Sequence, residues 1–280
     1  MMAYIHWDVA PNIIPGFELF RWYGLSWLIG AFAGYRIMIN IYQREEIDAG
    51  KLEDLVTYIM VGAIVGARFG HILFYEPLHY WHNPIEILPF RLEPTFQFTG
   101  LAGLASHGGI LGALVALYRF NRKYQLGYLW LLDRLTIAGT ALGGFIRLGN
   151  LINSEIIGTP TNLPWAFVFT SVDSIPRHPA QLYEAICYFI ISLLLFLVWK
   201  NRKLQQNQGF LFGMGMVLIF LQRFLMEFLK ENQVSFEENL SLNMGQWLSI
   251  PLILLGLLMI FRSTRKNKNH SAKSIQPPSK

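Results

Sequence analysis

Cysteine and charge are scarce in this sequence. Cys187 is the only cysteine among 280 residues, which excludes an internal disulfide and a dithiol redox pair. Charged residues make up 15% of the chain, whereas apolar residues make up 53% and aromatic residues 15%. This balance excludes a disordered chain and is unusual for a soluble domain. We therefore expect a membrane protein.

The net charge of +5 is small and unevenly placed. Six of the 23 basic residues follow Phe261, and the others are scattered among apolar segments. Such a distribution does not give the continuous basic face that nucleic-acid binding requires. A basic tail beside an anionic membrane surface explains the charge better, so no nucleic-acid partner is expected.

Seven apolar runs are candidates for membrane-spanning helices. A hydrocarbon core of roughly 30 Å needs about 20 residues of helix. We predict spans at residues 20–39, 55–74, 101–120, 129–148, 182–199, 210–229 and 247–261. The first run lacks the basic start and cleavage site of a signal peptide, so we expect it to be retained.

The predicted fold class is therefore all-α. We expect a polytopic integral membrane protein with seven transmembrane helices and two long extracytoplasmic loops. Residues 1–261 would form one seven-helix membrane domain. Residues 262–280, rich in Lys, Ser, Asn and Pro, would form a flexible basic cytoplasmic tail.

Basic residues divide unequally between the two sides of this arrangement. One side, which includes the tail, holds 14 arginines and lysines in its connections, and the other holds Arg21, Arg91, Arg177 and Lys230. The positive-inside rule then places the C-terminus in the cytoplasm and the N-terminus outside. The long connections, residues 75–100 and 149–181, lie outside in this topology. Loops of that length usually bind something, so the outer face is the predicted working face.

Five arginines lie within or beside the apolar runs: Arg36, Arg68, Arg134, Arg147 and Arg223. Each would cost about 2.5 to 3.5 kcal/mol at the middle of a bilayer, so their presence calls for an explanation. Snorkelling to a nearby cytoplasmic boundary explains Arg36 and Arg134. Arg147, at the outer end of the fourth span, and Arg223, one helical turn before Glu227, are candidate functional residues.

Glycines cluster in the second and third spans, at Gly62, Gly66, Gly70, Gly103, Gly108, Gly109 and Gly112. Small residues at this spacing allow two helices to pack closely. His107 directly precedes two of these glycines, and it is either a packed, hydrogen-bonded core residue or a proton-transfer residue. The residues alone leave both readings open. The histidines form no metal-binding motif, so no metal site is predicted.

The densest polar stretch, residues 147–158, borders the fourth span and contains Arg147, Asn150, Asn153 and Glu155. The two asparagines can cap or line an irregular helix exit, and Glu155 can hold Arg147 or another cation in place. A planar guanidinium at this level suits an anionic phosphate headgroup. A second polar segment, residues 177–184, leads into the fifth span and could simply begin that helix.

These motifs together resemble one family, the bacterial prolipoprotein diacylglyceryl transferases. The resemblance covers nearly the whole chain, and the set of motifs is specific although no single motif is. Its motifs are Arg21-Trp-Tyr23-Gly24, Gly66-Ala-Arg68, His107-Gly-Gly, residues 147–158, residues 177–184, Arg223 with Glu227, and Met244-Gly-Gln246.

The resemblance implies an inner-membrane transferase in lipoprotein biosynthesis, with the seven-helix domain as its catalytic domain. Such an enzyme moves the diacylglyceryl group of phosphatidylglycerol to the thiol of the lipobox cysteine of a prolipoprotein and releases glycerol phosphate. Its partners are phosphatidylglycerol and the prolipoprotein signal peptide, and no metal or organic cofactor is indicated. The matching functional positions are Tyr23, His107, Arg147, Asn150, Glu155, Gly158, Arg223 and Glu227.

Roles follow from the chemistry of this reaction. Arg147 and Arg223 would stabilise the phosphate leaving group, and His107 is the candidate base for the thiol. The predicted phosphatidylglycerol-binding residues are Tyr23, Arg147, Asn150, Asn153, Glu155, Gly158 and Glu227. Cys187 is expected to pack within the fifth span rather than to carry a covalent intermediate.

Three residues depart from the usual family pattern. Ile146 stands where Gly is usual and Leu151 where Phe is usual, and both changes concern packing beside the polar positions. Ile219 occupies a position where some members carry a tyrosine, so a role for that hydroxyl cannot be transferred.

A carrier or receptor for an anionic solute is the competing interpretation. It would also need intramembrane arginines and several spans. The absence of an inverted repeat, and the position of the polar residues at one face instead of the midplane, argue against it.

Overall fold

The computed structural model describes residues 4–14, 16–88, 90–91, 96–98, 103–201, 207–231 and 241–273. It is mostly helical, and two 3₁₀ turns, Pro84–Ile87 and Glu227–Leu229, join the helices. The helices are α1 (Trp22–Arg44), α2 (Ala49–Phe74), α3 (Pro77–His82), α4 (Ser106–Tyr124), α5 (Tyr128–Ile152), α6 (Ala180–Trp199), α7 (Phe210–Met226) and α8 (Met244–Lys273).

Six helices within the described residues are long and apolar enough to cross a bilayer. They correspond to six of the predicted spans and include α1, α2, α5, α6, α7 and α8. The remaining predicted span, 101–120, contains α4, which begins only at Ser106 and carries Arg119, Arg122 and Lys123 toward its end. Those charges make α4 less apolar than the others, so a seventh crossing stays a prediction.

Short strands correct the prediction of an all-α fold. A three-stranded sheet places β1 (Ile5–Trp7) parallel to β6 (Phe167–Phe169) and β7 (Pro176–Arg177) antiparallel to β6. The other strands form two antiparallel pairs. These are β2 (Asn12–Ile14) with β3 (Phe17–Arg21), and β4 (Phe90–Arg91) with β5 (Gln97–Phe98). The physical reason is that the backbone groups of long connections need hydrogen-bond partners, and strand pairing supplies them.

The C-terminal helix is longer than predicted. The sequence placed the end of the last span at residue 261, whereas α8 continues to Lys273. Residues 274–280 lie outside the described part of the chain, so the flexibility of the tail stays a prediction.

The chain divides into two compact units, Met1–Asn40 with Leu132–Lys280, and Ile41–Leu131. We call them the first and second units. That residues 1–261 form one membrane domain stays a prediction.

Close packing of α2 against α4 dominates the second unit. A Cβ atom added at Gly66 would lie 2.7 Å from the Cα atom of Gly112, and one added at Gly70 would lie 2.8 Å from the Cα atom of Gly108. Only glycine permits this approach, which agrees with the predicted packing role. Arg68, on the same helix, donates hydrogen bonds to the carbonyl oxygens of Ile87 and Gly103, at 2.9 and 3.3 Å. It thereby attaches the following connection to α2.

The first unit contains a buried carboxylate that corrects one prediction. Asp133 accepts hydrogen bonds from the backbone N–H groups of Gly209 and Phe212, both at 2.8 Å, and so caps the start of α7. Its neighbour Arg134 is only 2% exposed, with Nη1 lying 3.7 Å from the Asp133 carboxylate. The prediction that Arg134 snorkels is therefore wrong, because its guanidinium is buried beside this carboxylate. Arg36 is exposed.

Candidate active site

Three helix ends of the first unit, and the 3₁₀ turn that follows one of them, bring charged side chains together. Arg147 lies in the last turns of α5, and Glu184 lies in the second turn of α6. Arg223 lies at the end of α7, and Glu227 and Lys230 lie in and directly after the 3₁₀ turn that follows it. Since successive spanning helices run in opposite directions, these ends meet at one side of the unit.

The five side chains form a chain of alternating charge. Arg147 Nε lies 3.0 Å from Glu184 Oε2, and Glu184 Oε1 lies 2.8 Å from Lys230 Nζ. Lys230 Nζ donates a hydrogen bond to Glu227 Oε1 at 3.2 Å, and that oxygen lies 3.9 Å from Arg223 Nε. We call this set the ion chain. The two arginines stand at its ends.

Burial differs along the ion chain. Glu184 and Lys230 are 1% and 2% exposed, whereas Arg147 is 15% exposed and Arg223 is 40% exposed. Three cations and two carboxylates give a net charge of one positive unit. That charge is accessible at the arginines, where a single anion can neutralise it.

Glu227 has further contacts at the start of α8. The Asn243 amide donates to Glu227 Oε2 at 3.1 Å. A Cβ atom added at Gly245 would lie 2.6 Å from Glu227 Oε1, so a side chain at this position would displace the carboxylate. The Met244-Gly-Gln246 motif therefore contributes to the site by making room for Glu227.

The two predicted asparagines bind Glu155. Asn150 Nδ2 donates to Glu155 Oε2 at 2.8 Å, and Asn153 Nδ2 donates to Glu155 Oε1 at 3.1 Å. The backbone oxygen of Glu155 accepts a hydrogen bond from Gln181, at 2.5 Å. The expectation that Glu155 holds Arg147 is corrected by the structure, because the carboxylate beside Arg147 belongs to Glu184. The exit of α5 is instead tied to the start of α6.

Gly158 acts through the backbone. It forms an antiparallel bridge with Lys230, supported by hydrogen bonds from Thr159 N to Leu229 O at 3.0 Å and from Glu231 N to Ile157 O at 3.2 Å. A Cβ atom at Gly158 would contact the carbonyl oxygen of His178 and lie 2.8 Å from that of Leu229. Glycine at this position thus allows the loop after α5 to hold the backbone of Lys230.

Arg177 fixes the same loop from the other side. Its guanidinium donates to Asp173 Oδ2 at 2.7 Å, to Glu231 Oε1 at 2.6 Å and to the carbonyl oxygen of Gly158 at 3.3 Å. The hydrogen bonds from Arg177 to Asp173 hold the pKa of Asp173 below its usual range. Burial lowers the pKa of His178, so this neighbouring imidazole favours its neutral form.

Two tyrosines border the arginines. The ring of Tyr23, in the first turn of α1, packs on α5 at Gly149, where an added Cβ atom would lie 2.9 Å from it. Tyr188, one turn after Glu184 on α6, packs on α5 at Gly143, where an added Cβ atom would lie 3.3 Å from its ring. It lies close to Arg147 and Arg223.

The structure thus brings most of the predicted site residues into the first unit, and two important residues were missed. Glu184 and Lys230 were treated as a helix-start residue and an outer basic residue. A signal was available, since charged residues beside span ends need partners of opposite sign. That Glu184 pairs with Lys230 could not be predicted, because the two residues lie far apart in the sequence.

His107 belongs to the second unit. It lies in the first turn of α4 and its side chain is exposed. Its predicted role as a base stays a prediction.

Within the described ranges, no three His, Cys, Asp or Glu side chains converge as metal ligands would.

Comparison with known proteins identifies the family. Residues 9–262 match the family model described as prolipoprotein diacylglyceryl transferase. The chain belongs to this family. The resemblance predicted from the motifs is therefore confirmed.

Relatives from several bacteria extend the match. A phosphatidylglycerol–prolipoprotein diacylglyceryl transferase of Bacteroides fragilis is 46% identical over 265 residues, covering 93% of this chain and 96% of the relative. Proteins with the same name from Chloroherpeton thalassium and Tolumonas auensis are 40% and 42% identical, covering 94% of this chain and 96% and 98% of the relatives. With its apolar helices, the chain is a multi-pass bacterial membrane protein.

Proposed function

We propose that this protein transfers the diacylglyceryl group of phosphatidylglycerol to the lipobox cysteine of prolipoproteins, the first step of lipoprotein maturation. The observation that carries the proposal is the ion chain, which places two arginines and a net positive charge at adjacent helix ends. The names of the relatives support the same substrates. A carrier for an anionic solute has no comparable support.

The reaction places two demands on the site. The thiol sulfur forms a bond to the primary glyceryl carbon, while the bond from that carbon to the phosphate oxygen breaks and its electron pair leaves with glycerol phosphate. The thiol proton passes to a base. Because the phosphodiester carries one negative charge and the departing phosphate monoester carries more, positive charge held in a water-poor site favours the transition state.

Arg147 and Arg223 meet the demand for positive charge. Each faces its carboxylate partner through Nε, and the two side chains are 15% and 40% exposed, so both can meet an anion. A planar guanidinium binds phosphate oxygens in a bidentate manner. Six further residues would shape the surrounding headgroup site through their contacts with one another and with the helix ends. They are Tyr23, Asn150, Asn153, Glu155, Gly158 and Glu227.

His107 would accept the thiol proton. A free cysteine thiol with a pKa near 8.5 is mostly protonated at neutral pH, so a base increases the fraction of attacking thiolate. Its exposed side chain on α4 is accessible to a substrate.

The protein would lie in the bacterial inner membrane with its N-terminus outside and its C-terminus in the cytoplasm. This orientation is supported by the excess of basic residues in one set of connections. It places the ion chain at the outer side, where a lipobox cysteine emerging from the membrane would meet it.

The test uses purified protein in vesicles of phosphatidylglycerol with a synthetic lipobox peptide. We expect the peptide mass to increase by one diacylglyceryl group, and we expect no increase in phosphatidylcholine vesicles or with a Cys-to-Ser peptide. An unchanged peptide mass with fully folded protein would contradict the proposal and favour a carrier.

A further inference from the structure

Lys230 occupies the centre of the ion chain and has no role in the reaction as described so far. Its ammonium lies 2.8 Å from Glu184 Oε1 and 3.2 Å from Glu227 Oε1. The side chain is 2% exposed. A buried ammonium is stable only when it is paired, so both carboxylates are needed to hold Lys230, and Lys230 is needed to hold both of them.

Each carboxylate that contacts Lys230 also contacts one arginine. Glu184 uses one oxygen for Lys230 and the other for Arg147 Nε at 3.0 Å. Glu227 faces Arg223 Nε at 3.9 Å and is held on its second oxygen by Asn243 at 3.1 Å. The orientation of each arginine therefore depends on a carboxylate whose position Lys230 helps to fix.

The position of the ammonium is itself fixed by the fold. The backbone of Lys230 pairs with Gly158, and the flanking residues Leu229 and Glu231 add two backbone hydrogen bonds to the same loop. The lysine thus reaches the two carboxylates from a backbone that cannot shift freely. A surface lysine on a mobile loop would not be held in this way.

We infer that Lys230 is a positioning residue that joins the two arginines into a single site for the phosphate headgroup. The inference rests on the proposed function for the identity of the substrate. Without the ammonium, the buried carboxylates of Glu184 and Glu227 would repel each other and move apart. Each would carry its arginine with it, so the two guanidinium groups would lose the arrangement in which we place the phosphate.

The experiment compares Lys230→Met, Lys230→Arg and the wild-type protein. Turnover of a lipobox peptide is measured at increasing mole fractions of phosphatidylglycerol in phosphatidylcholine vesicles, per folded molecule. We expect Lys230→Met to lower kcat/KM for phosphatidylglycerol by tenfold or more, and we expect Lys230→Arg, which keeps the charge, to remain within about threefold of wild type. Lys123→Met, which removes an exposed lysine of α4, is the matched control and should stay within about twofold.

A purely structural role predicts a different result. In that case Lys230→Met would reduce abundance or melting temperature while kcat and KM per folded molecule stayed at wild-type values, and this outcome would overturn the inference. If Lys230→Met does not fold, Lys230→Gln is used instead, because its amide can still donate hydrogen bonds to the carboxylates but carries no charge. We expect Lys230→Gln to fold and still to lose tenfold or more in kcat/KM, and wild-type kinetics would overturn the inference.

A binding measurement separates this inference from the proposed function. The melting temperature is compared in phosphatidylglycerol and phosphatidylcholine vesicles. We expect phosphatidylglycerol to stabilise the wild type more, and we expect this difference to be lost in Lys230→Met and kept in Lys230→Arg. If the wild type converts no peptide but shows this dependence on Lys230, the transferase proposal fails while the joint headgroup site stands. If Lys230→Met keeps the full difference, the inference fails.

Discussion

The two arginines of the ion chain share the atom through which they face their partners. Arg147 and Arg223 face carboxylates through Nε, at 3.0 and 3.9 Å. A guanidinium has a side edge formed by Nε–H and one terminal nitrogen, and an end edge formed by both terminal nitrogens. A side chain whose side edge faces a carboxylate can therefore still bind an anion at its end edge.

Arg147→Lys is expected to lose most activity although it retains the positive charge. A point ammonium cannot reproduce two parallel hydrogen bonds to a phosphate, so we expect turnover to fall by at least about tenfold. The measurement is peptide conversion at equal membrane abundance, with Arg36→Lys on the exposed side of α1 as the control. Near-wild-type turnover in Arg147→Lys would refute the bidentate contact and leave only a role for charge.

His107→Gln distinguishes a base from a packing histidine. If His107 accepts the thiol proton, the variant should fold and bind phosphatidylglycerol but lose on the order of 10² to 10⁴ in rate. The deficit should narrow as the pH approaches the thiol pKa, because more substrate ionises without help. Turnover against pH is measured for both proteins. A constant ratio across this range would remove His107 from the role of base.

At the scale of elements, glycine determines how closely helices approach. In the second unit, α2 and α4 are in contact along Gly62, Gly66, Gly108 and Gly112. Without side chains at these positions, the backbones pack against each other, and dispersion contacts replace those with lipid. The spacing predicted close helix packing at these glycines, and the structure shows that the two clusters contact each other.

Gly66→Ala should destabilise the protein. The added Cβ atom would lie 2.7 Å from the Cα atom of Gly112, and backbone atoms cannot move aside cheaply. We expect a loss of about 1 to 3 kcal/mol, seen as a lower melting temperature in detergent. Gly139→Ala on α5 is the matched control, since no atom lies within 4 Å of its added Cβ. Equal melting temperatures for the two variants would contradict the close packing.

The loop that connects α5 with α6 should show a pH-dependent stability. Arg177 holds the pKa of Asp173 below its usual range, so this carboxylate stabilises the fold above the ordinary Asp pKa of about 3.9. That contribution is lost as the pH falls through the lowered pKa of the folded state. Asp173→Asn should therefore melt below wild type at pH 7, and the difference should shrink as the pH falls below about 4. A difference that stays constant from pH 7 to pH 3 would argue against the pair.

At the scale of the whole molecule, the distribution of basic residues predicts the orientation in the membrane. A reporter fused after Lys280 should behave as cytoplasmic, because the connections on that side and the tail hold 14 of the 23 basic residues. Accessibility of the reporter to a membrane-impermeant reagent in intact cells is the measurement. Labelling from outside would invert the topology and place the ion chain on the cytoplasmic face.

Most of the fold and part of the site could be predicted from the sequence. Spanning helices follow from long apolar runs, since burying backbone polar groups in lipid requires a helix. Arg147 and Arg223 could be selected because isolated charges in such runs are costly. The short strands β1 and β6 could not be predicted, because each is only three residues long and they pair from distant parts of the chain.

The sequence by itself determined the class of protein, the positions of the main helices, the close packing at the glycine clusters and the family. Each of these depends on local composition, spacing or motif. Only the tertiary structure decided that Glu184 rather than Glu155 holds Arg147, that Gly158 supports the backbone of Lys230, and that Lys230 joins two carboxylates. The physical reason is that an ion pair or a backbone bridge depends on which helix ends meet, and that is fixed by packing among segments far apart in the sequence.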